Sequence, residues 1–164
     1  MRKFYVVTVI LSFITSFSSC KTSYHISENY QIQCDKTTDE SSYSVTINYE
    51  SNNNLIDIET VKQNAIDGIL FRGITGNNEC VAQKAILDKP KSEISNTIFY
   101  KQLYGNNKNY NKYITNISKV KDNLLETIKD KKLYKHIYRV DINKELLRKD
   151  LITQGLLKPL TSGF

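Results

Sequence analysis

Tyr43-Ser44-Val45-Thr46-Ile47-Asn48-Tyr49 alternates large apolar residues with small polar ones. A period of two is the signature of a half-buried β-strand. Beyond the Ser51-Asn52-Asn53-Asn54 turn the period changes. Ile58, Val61, Ala65, Ile66, Ile69 and Leu70 recur at helical spacing from about Asp57 to Phe71, and Gly73 ends the helix. Asp57 and Glu59 in the first turn suit its positive dipole end. Gly68 lies inside the helix at a cost of about 1 kcal/mol against alanine, which predicts either a close backbone approach or early fraying.

Working outward, residues 74–95 read as an irregular connection around Cys80-Val81-Ala82, with Gly76-Asn77-Asn78 and Pro90 as breakers. A second helix is predicted near Ile94 to Tyr104, capped by Ser92 or Ser95 and stopped by Gly105-Asn106-Asn107. Three strands follow, through Ile117 and Val120, from Leu124 to Ile128 and from Leu133 to Ile142, with Lys129-Asp130-Lys131-Lys132 as a connector. In the last, Tyr134, His136, Tyr138, Val140 and Ile142 share one face. Asn143 caps a final helix that buries Leu146, Leu147, Leu151 and Ile152 and ends at Gly155, with Pro159 beyond. The fold class is α+β, a mainly antiparallel sheet with helices packed on one face, in the order β-α-α-β-β-β-α.

The other end of the chain has a different character. Met1-Arg2-Lys3, an apolar run from Phe4 to Phe17, and Ser18-Ser19-Cys20 read as a lipoprotein signal peptide, with Cys20 as the acylated residue. That run falls short of the roughly 20 residues needed to span a bilayer, and Phe17 with Ser19 suits ordinary signal cleavage poorly. Phe17 also departs from the leucine common at that position of a lipobox. Removing residues 1–19 from 164 leaves 145, enough for one domain and a tether. The reading is signal at 1–19, lipid anchor and polar tether at 20–42, and one α+β domain at 43–164. Tyr30, Ile32 and Cys34 have the alternation of a short edge strand docking from the tether.

Cys34 and Cys80 then remain as an even pair in a compartment that permits disulfides. A bridge would close a loop of about 45 residues and add about 4 kcal/mol by chain entropy, and two unpaired thiols are the alternative. No Cys/His spacing suggests a metal, and no cofactor motif is present. Loss of Arg2 and Lys3 lowers the net charge from +6 to +4, and only four of the 23 basic residues are arginine, a composition without a nucleic-acid footprint.

Catalytic constellations are scarce. His25 falls in the tether and His136 in a strand, the glycines near residue 70 serve helix termination, and Asp57, Glu59 and Asp67 are the only suggestion of an acid pair. The eleven tyrosines combine apolar area with a polar tip, so Tyr100, Tyr104, Tyr110, Tyr113 and the terminal Phe164 are candidate interface residues, against core packing as the plain alternative. The apolar tail at Leu156-Leu157 and Leu160 either folds back on the core or offers a docking peptide.

Two segments carry a resemblance. Val61-Lys62-Gln63-Asn64-Ala65-Ile66-Asp67-Gly68-Ile69-Leu70-Phe71-Arg72-Gly73 and the stretch from Leu146 through Gly155-Leu156-Leu157 to Ser162-Gly163-Phe164 are similar to a family of uncharacterised Bacteroidota envelope proteins. More loosely, the arrangement resembles small accessory lipoproteins of Bacteroidota secretion machines such as the type VI apparatus. The family implies no established catalytic residues. Lys21-Thr22-Ser23-Tyr24-His25 lacks the acidic run that resembles a surface-export signal, which favours the periplasmic face of the outer membrane. The expectation is therefore a non-enzymatic lipoprotein that assembles or stabilises an envelope complex, with the membrane and other envelope proteins as partners. The alternative is a periplasmic binder of peptidoglycan or glycan through a tyrosine-lined groove, and a third class is a hydrolase in which His136 meets a carboxylate and a nucleophile.

Overall fold

The computed structural model describes residues 29–35, 41–128 and 131–159. The signal segment, Cys20 and Phe164 lie outside the described residues. Among them, β1 (Tyr30–Cys34), β2 (Ser42–Ser51), β3 (Ile114–Ile128) and β4 (Lys131–Asn143) form one antiparallel sheet in the order β1-β2-β4-β3. The helices are α1 (Ile58–Asp67), α2 (Lys91–Ile94), α3 (Ile98–Tyr104) and α4 (Lys144–Thr153). A π-helical turn, Gly68–Arg72, prolongs α1, and a 3₁₀ turn, Asn109–Tyr113, leads into β3. The protein is α+β, with helices on one face of the sheet.

Alternation decides that face. Tyr43, Val45, Ile47 and Tyr49 of β2 lie opposite Ile142, Val140, Tyr138 and His136 of β4, and all eight are buried. The outer face is polar, with Ser44 bonded to Asp141 at 2.6 Å and Arg139 paired to Asp35 at 2.6 Å. Val61, Ala65, Ile66, Ile69 and Leu70 from α1 and its π turn, with Leu147 and Leu151 of α4, complete the core. Asn143 caps α4 by accepting from the Leu146 backbone N–H at 2.8 Å, and Gly155 beyond it has φ of 68°. Leu156 and Leu157 fold back on the core.

Three details differ from the sequence reading, and a fourth decides between the two alternatives it offered for Gly68. Residues 30–34 belong to the folded domain rather than to a tether reaching 42, because Tyr30, Ile32 and Cys34 bury themselves while their backbone pairs with Tyr49, Ile47 and Val45. The helix predicted near 94–104 is split. Thr97 accepts from the Tyr100 N–H at 3.2 Å and donates to the Ile94 carbonyl at 2.7 Å, so it ends α2 and starts α3 in place of Ser92 or Ser95. Residues 114–128 are one strand, not the two expected through Ile117 and Val120 and from Leu124 to Ile128, because β4 is a continuous template and three register shifts absorb the broken alternation. Gly68 marks a close approach and not fraying: a Cβ there would stand 2.8 Å from Ile32 Cδ1.

Candidate functional site

The cysteines set the frame. Cys34 and Cys80 are joined, with Cα atoms 6.2 Å apart across 46 residues of sequence. The bond fastens the end of β1 to the loop at 76–82, where Thr75 also bridges β1: the Cys34 N–H donates to Thr75 O at 2.8 Å and the Thr75 N–H to Ile32 O at 3.2 Å. Asn77 adds a side-chain bond to Cys34 O at 2.7 Å.

Tyrosines are structural here. Tyr100, Tyr104, Tyr110 and Tyr113 are 8%, 2%, 0% and 1% exposed, so the expectation that they form an interface is corrected: they are core. Three of the rings meet in tilted contact, Tyr104 lying 4.7 Å from Tyr100 and 6.2 Å from Tyr110. The Tyr110 hydroxyl reaches Glu59 of α1 and the Tyr113 hydroxyl reaches Asp150 of α4, so the rings fill the space between these helices, and apolar area decides the outcome. Burial pushes the Tyr104 hydroxyl well up from its ordinary titration range.

The carboxylates singled out from the sequence do not meet. Asp57 accepts from the Glu59 N–H at 3.2 Å as the cap of α1. Glu59 takes Lys62 at 2.7 Å, Lys108 at 2.9 Å and the Tyr110 hydroxyl at 2.9 Å, and the Lys62 bond above all holds its carboxyl down to about 2. Asp67 is buried and was not separated from the others by sequence, although a carboxylate amid the apolar stripe of α1 is a visible oddity. It accepts from Tyr30 Oη at 3.1 Å and pairs with Lys91 at 2.5 Å. Arg72 covers the Tyr30 ring at 4.1 Å. Burial, then the Asp67 charge, pushes the Tyr30 phenol far up. Tyr30 thus ties β1 to the end of α1.

His136 is fully buried on β4. Its Nδ1 lies 2.8 Å from Asp122 Oδ1, and its Nε2 lies 2.9 Å from the backbone carbonyl of Asn53. An imidazole nitrogen facing a carbonyl must carry a proton and donate it, so Nε2 has no lone pair to offer a nucleophile. A hydrolase needs the opposite arrangement. Asp122, across the sheet on β3, is held below the usual carboxylate range by Lys119 first and by His136.

Two concavities are seen among the described residues. A cavity of about 110 Å³ lies between Phe99, Lys112, Tyr113 and Asp150, where the Asp150 carboxylate is already engaged by Lys112 at 2.6 Å and Tyr113 Oη at 2.8 Å. Burial raises the Asp150 carboxyl, but these two bonds outweigh it and hold it low. An open groove of about 510 Å³ crosses the outer sheet face at Tyr30, Gln31, Asn48, Glu50, Leu133 and Lys135. Only Tyr30 among these is aromatic, and it is buried. Among the described residues no group of three or more His, Cys, Asp or Glu could hold a metal ion, and no helix is long and apolar enough to cross a membrane. Comparisons with protein-family models, with curated proteins and with solved structures return no match.

Proposed function

We propose that the protein is a lipid-anchored lipoprotein of the periplasmic face of the outer membrane, serving as a non-enzymatic assembly or stabilising subunit of an envelope complex. One observation carries the reading. Cys34 and Cys80 pair with each other, which leaves Cys20, directly after an apolar run, as the odd cysteine for acylation. A disulfide between strand and loop also suits an oxidising compartment. The non-enzymatic part draws support from His136, whose two nitrogens are spent on Asp122 and on a backbone carbonyl. The glycan-binding alternative gains no such support, since the tyrosines it needs are core.

The test is affinity purification from detergent-solubilised envelopes, with wild type compared to Cys20→Ala and the N-terminal peptide weighed by mass spectrometry. An acylated Cys20 and a fixed, stoichiometric set of envelope proteins lost in Cys20→Ala are expected. An unmodified Cys20 would overturn the anchor, and recovery of cell-wall fragments without protein partners would overturn the subunit.

A further inference from the structure

His136 is fully buried, yet both of its ring nitrogens face oxygens that can only accept. The Asn53 carbonyl, 2.9 Å from Nε2, has no proton to give. Asp122 Oδ1, 2.8 Å from Nδ1, belongs to a carboxyl that Lys119 above all holds below the usual carboxylate range, so it is ionised and also accepts. A ring with one proton satisfies one of these oxygens and turns a lone pair on the other. Two protons satisfy both. A buried charge is tolerated when it is paired and hydrogen-bonded, and the imidazolium form of His136 meets both conditions.

The groups around the ring leave that pairing intact. Tyr49 lies directly across on β2, where burial pushes its phenol up and keeps it neutral. On β4 itself, Tyr134 stacks on the ring at 6.1 Å and Tyr138 is the next inward residue. From β3, Lys119 pairs with Asp122. In α1, Glu59 is taken by Lys62, Lys108 and Tyr110, and Asp67 by Tyr30 and Lys91. What the Nε2 bond holds is the β2–α1 loop. Among the described residues it is the hydrogen bond that ties residues 52–56 to β4, while the Asn53 N–H goes back to Ser51 Oγ at the end of β2, 3.0 Å away. Beyond Asn53, Leu55 is exposed and Ile56 packs partly against the core.

We infer that His136 is a pH-sensitive latch: with both ring protons it clasps the Asn53 carbonyl to β4, and when one proton leaves the loop at 52–56 is released. The proton that stays is the one between Nδ1 and the carboxylate, because that bond is charge-assisted and the stronger of the two. Nε2 is then left with a lone pair against the carbonyl. The latch is therefore closed while the imidazole is charged and opens as pH rises. Its acid limit is protonation of Asp122, below that group's ordinary 3.8. The latch is independent of acylation at Cys20.

The test is nitrogen-15 NMR of the mature chain, residues 20–164 with Cys20→Ala, from about pH 5 to about pH 8, the range in which imidazole charge changes. At the acid end both His136 nitrogens should carry protons, and backbone order parameters from Asn53 to Ile56 should stand near the rigid value of about 0.85. As the second proton leaves, they should fall to about 0.6 or below while those of β2 and β4 hold. Asp122→Asn, at a part-exposed position, presents an amide that can donate to Nδ1, so a neutral ring keeps its proton on Nε2 and the loop should stay ordered at both ends of the range. The rest of the spectrum shows whether that variant is folded. A singly protonated ring at the acid end, a ring that keeps both protons throughout, or a loop whose order ignores the titration would overturn the latch. So would an Asp122→Asn loop that loosens with rising pH as the wild type does.

Discussion

The two edges of the sheet are built on opposite principles. β1 has five residues, and every second one is buried in the core. Its outer side is closed by Thr75 and by the disulfide, and its first side chain is gripped by Asp67 and Arg72. β3 has fifteen residues, bends through three register shifts, and leaves Val120 and its lysines exposed. Its outer side pairs with no strand among the described residues. A short strand offers few ladder bonds and must be held by core and covalent contacts. A long strand is held mainly by its ladder, with Ile114, Ile117 and the Asp122–His136 bond adding to it, and shifts with exposed lysines deter further pairing.

That contrast can be broken by substitution. Replacing Cys34 and Cys80 together by alanine should lower unfolding free energy by about 4 kcal/mol in the loop-closure account, read from urea midpoints with and without reductant. Wild type in reductant should match the variant. Ile32→Ala on β1 removes a core side chain and should cost about 3 kcal/mol by the same titration. A loss below about 1 kcal/mol would mean that β1 is held by the disulfide alone.

On the other edge the effects should be small. Asp122 is held below its ordinary value of 3.8 by Lys119 and His136, so its contribution is full above that pH and fades as pH falls through the lower folded value. Asp122→Asn should flatten the acid limb of a plot of unfolding midpoint against pH and leave its neutral part little changed. Val120→Ser, at an exposed site, should shift stability by less than about 0.5 kcal/mol. A larger loss would show that β3 is covered in the folded protein as β1 is.

Legibility in the sequence followed locality. The alternation at Tyr43 to Tyr49 and Tyr134 to Ile142, the Asn143 cap and the Gly155 stop are each written within a few residues, and each stands as read. The broken helix at Thr97 was missed because a threonine's two bonds compete with helix continuation only when its rotamer permits, which composition does not show. Asp67 and Asn64 were missed as buried polar groups because their partners, Tyr30 and Tyr49, come from other strands. The tyrosines were misassigned for the same reason, since tyrosine suits a core and an interface equally well.

By itself the sequence determined the α+β class, the faces of β2 and β4 and the ends of the first and last helices, because periodicity and capping act over one or two turns of chain. Tertiary structure alone decided whether Cys34 and Cys80 pair, which tyrosines are buried, and that His136 spends both nitrogens on structure. Those outcomes depend on which segments β-pairing brings within a few ångströms of one another, and that distance is a property of the assembled sheet rather than of any local stretch of chain.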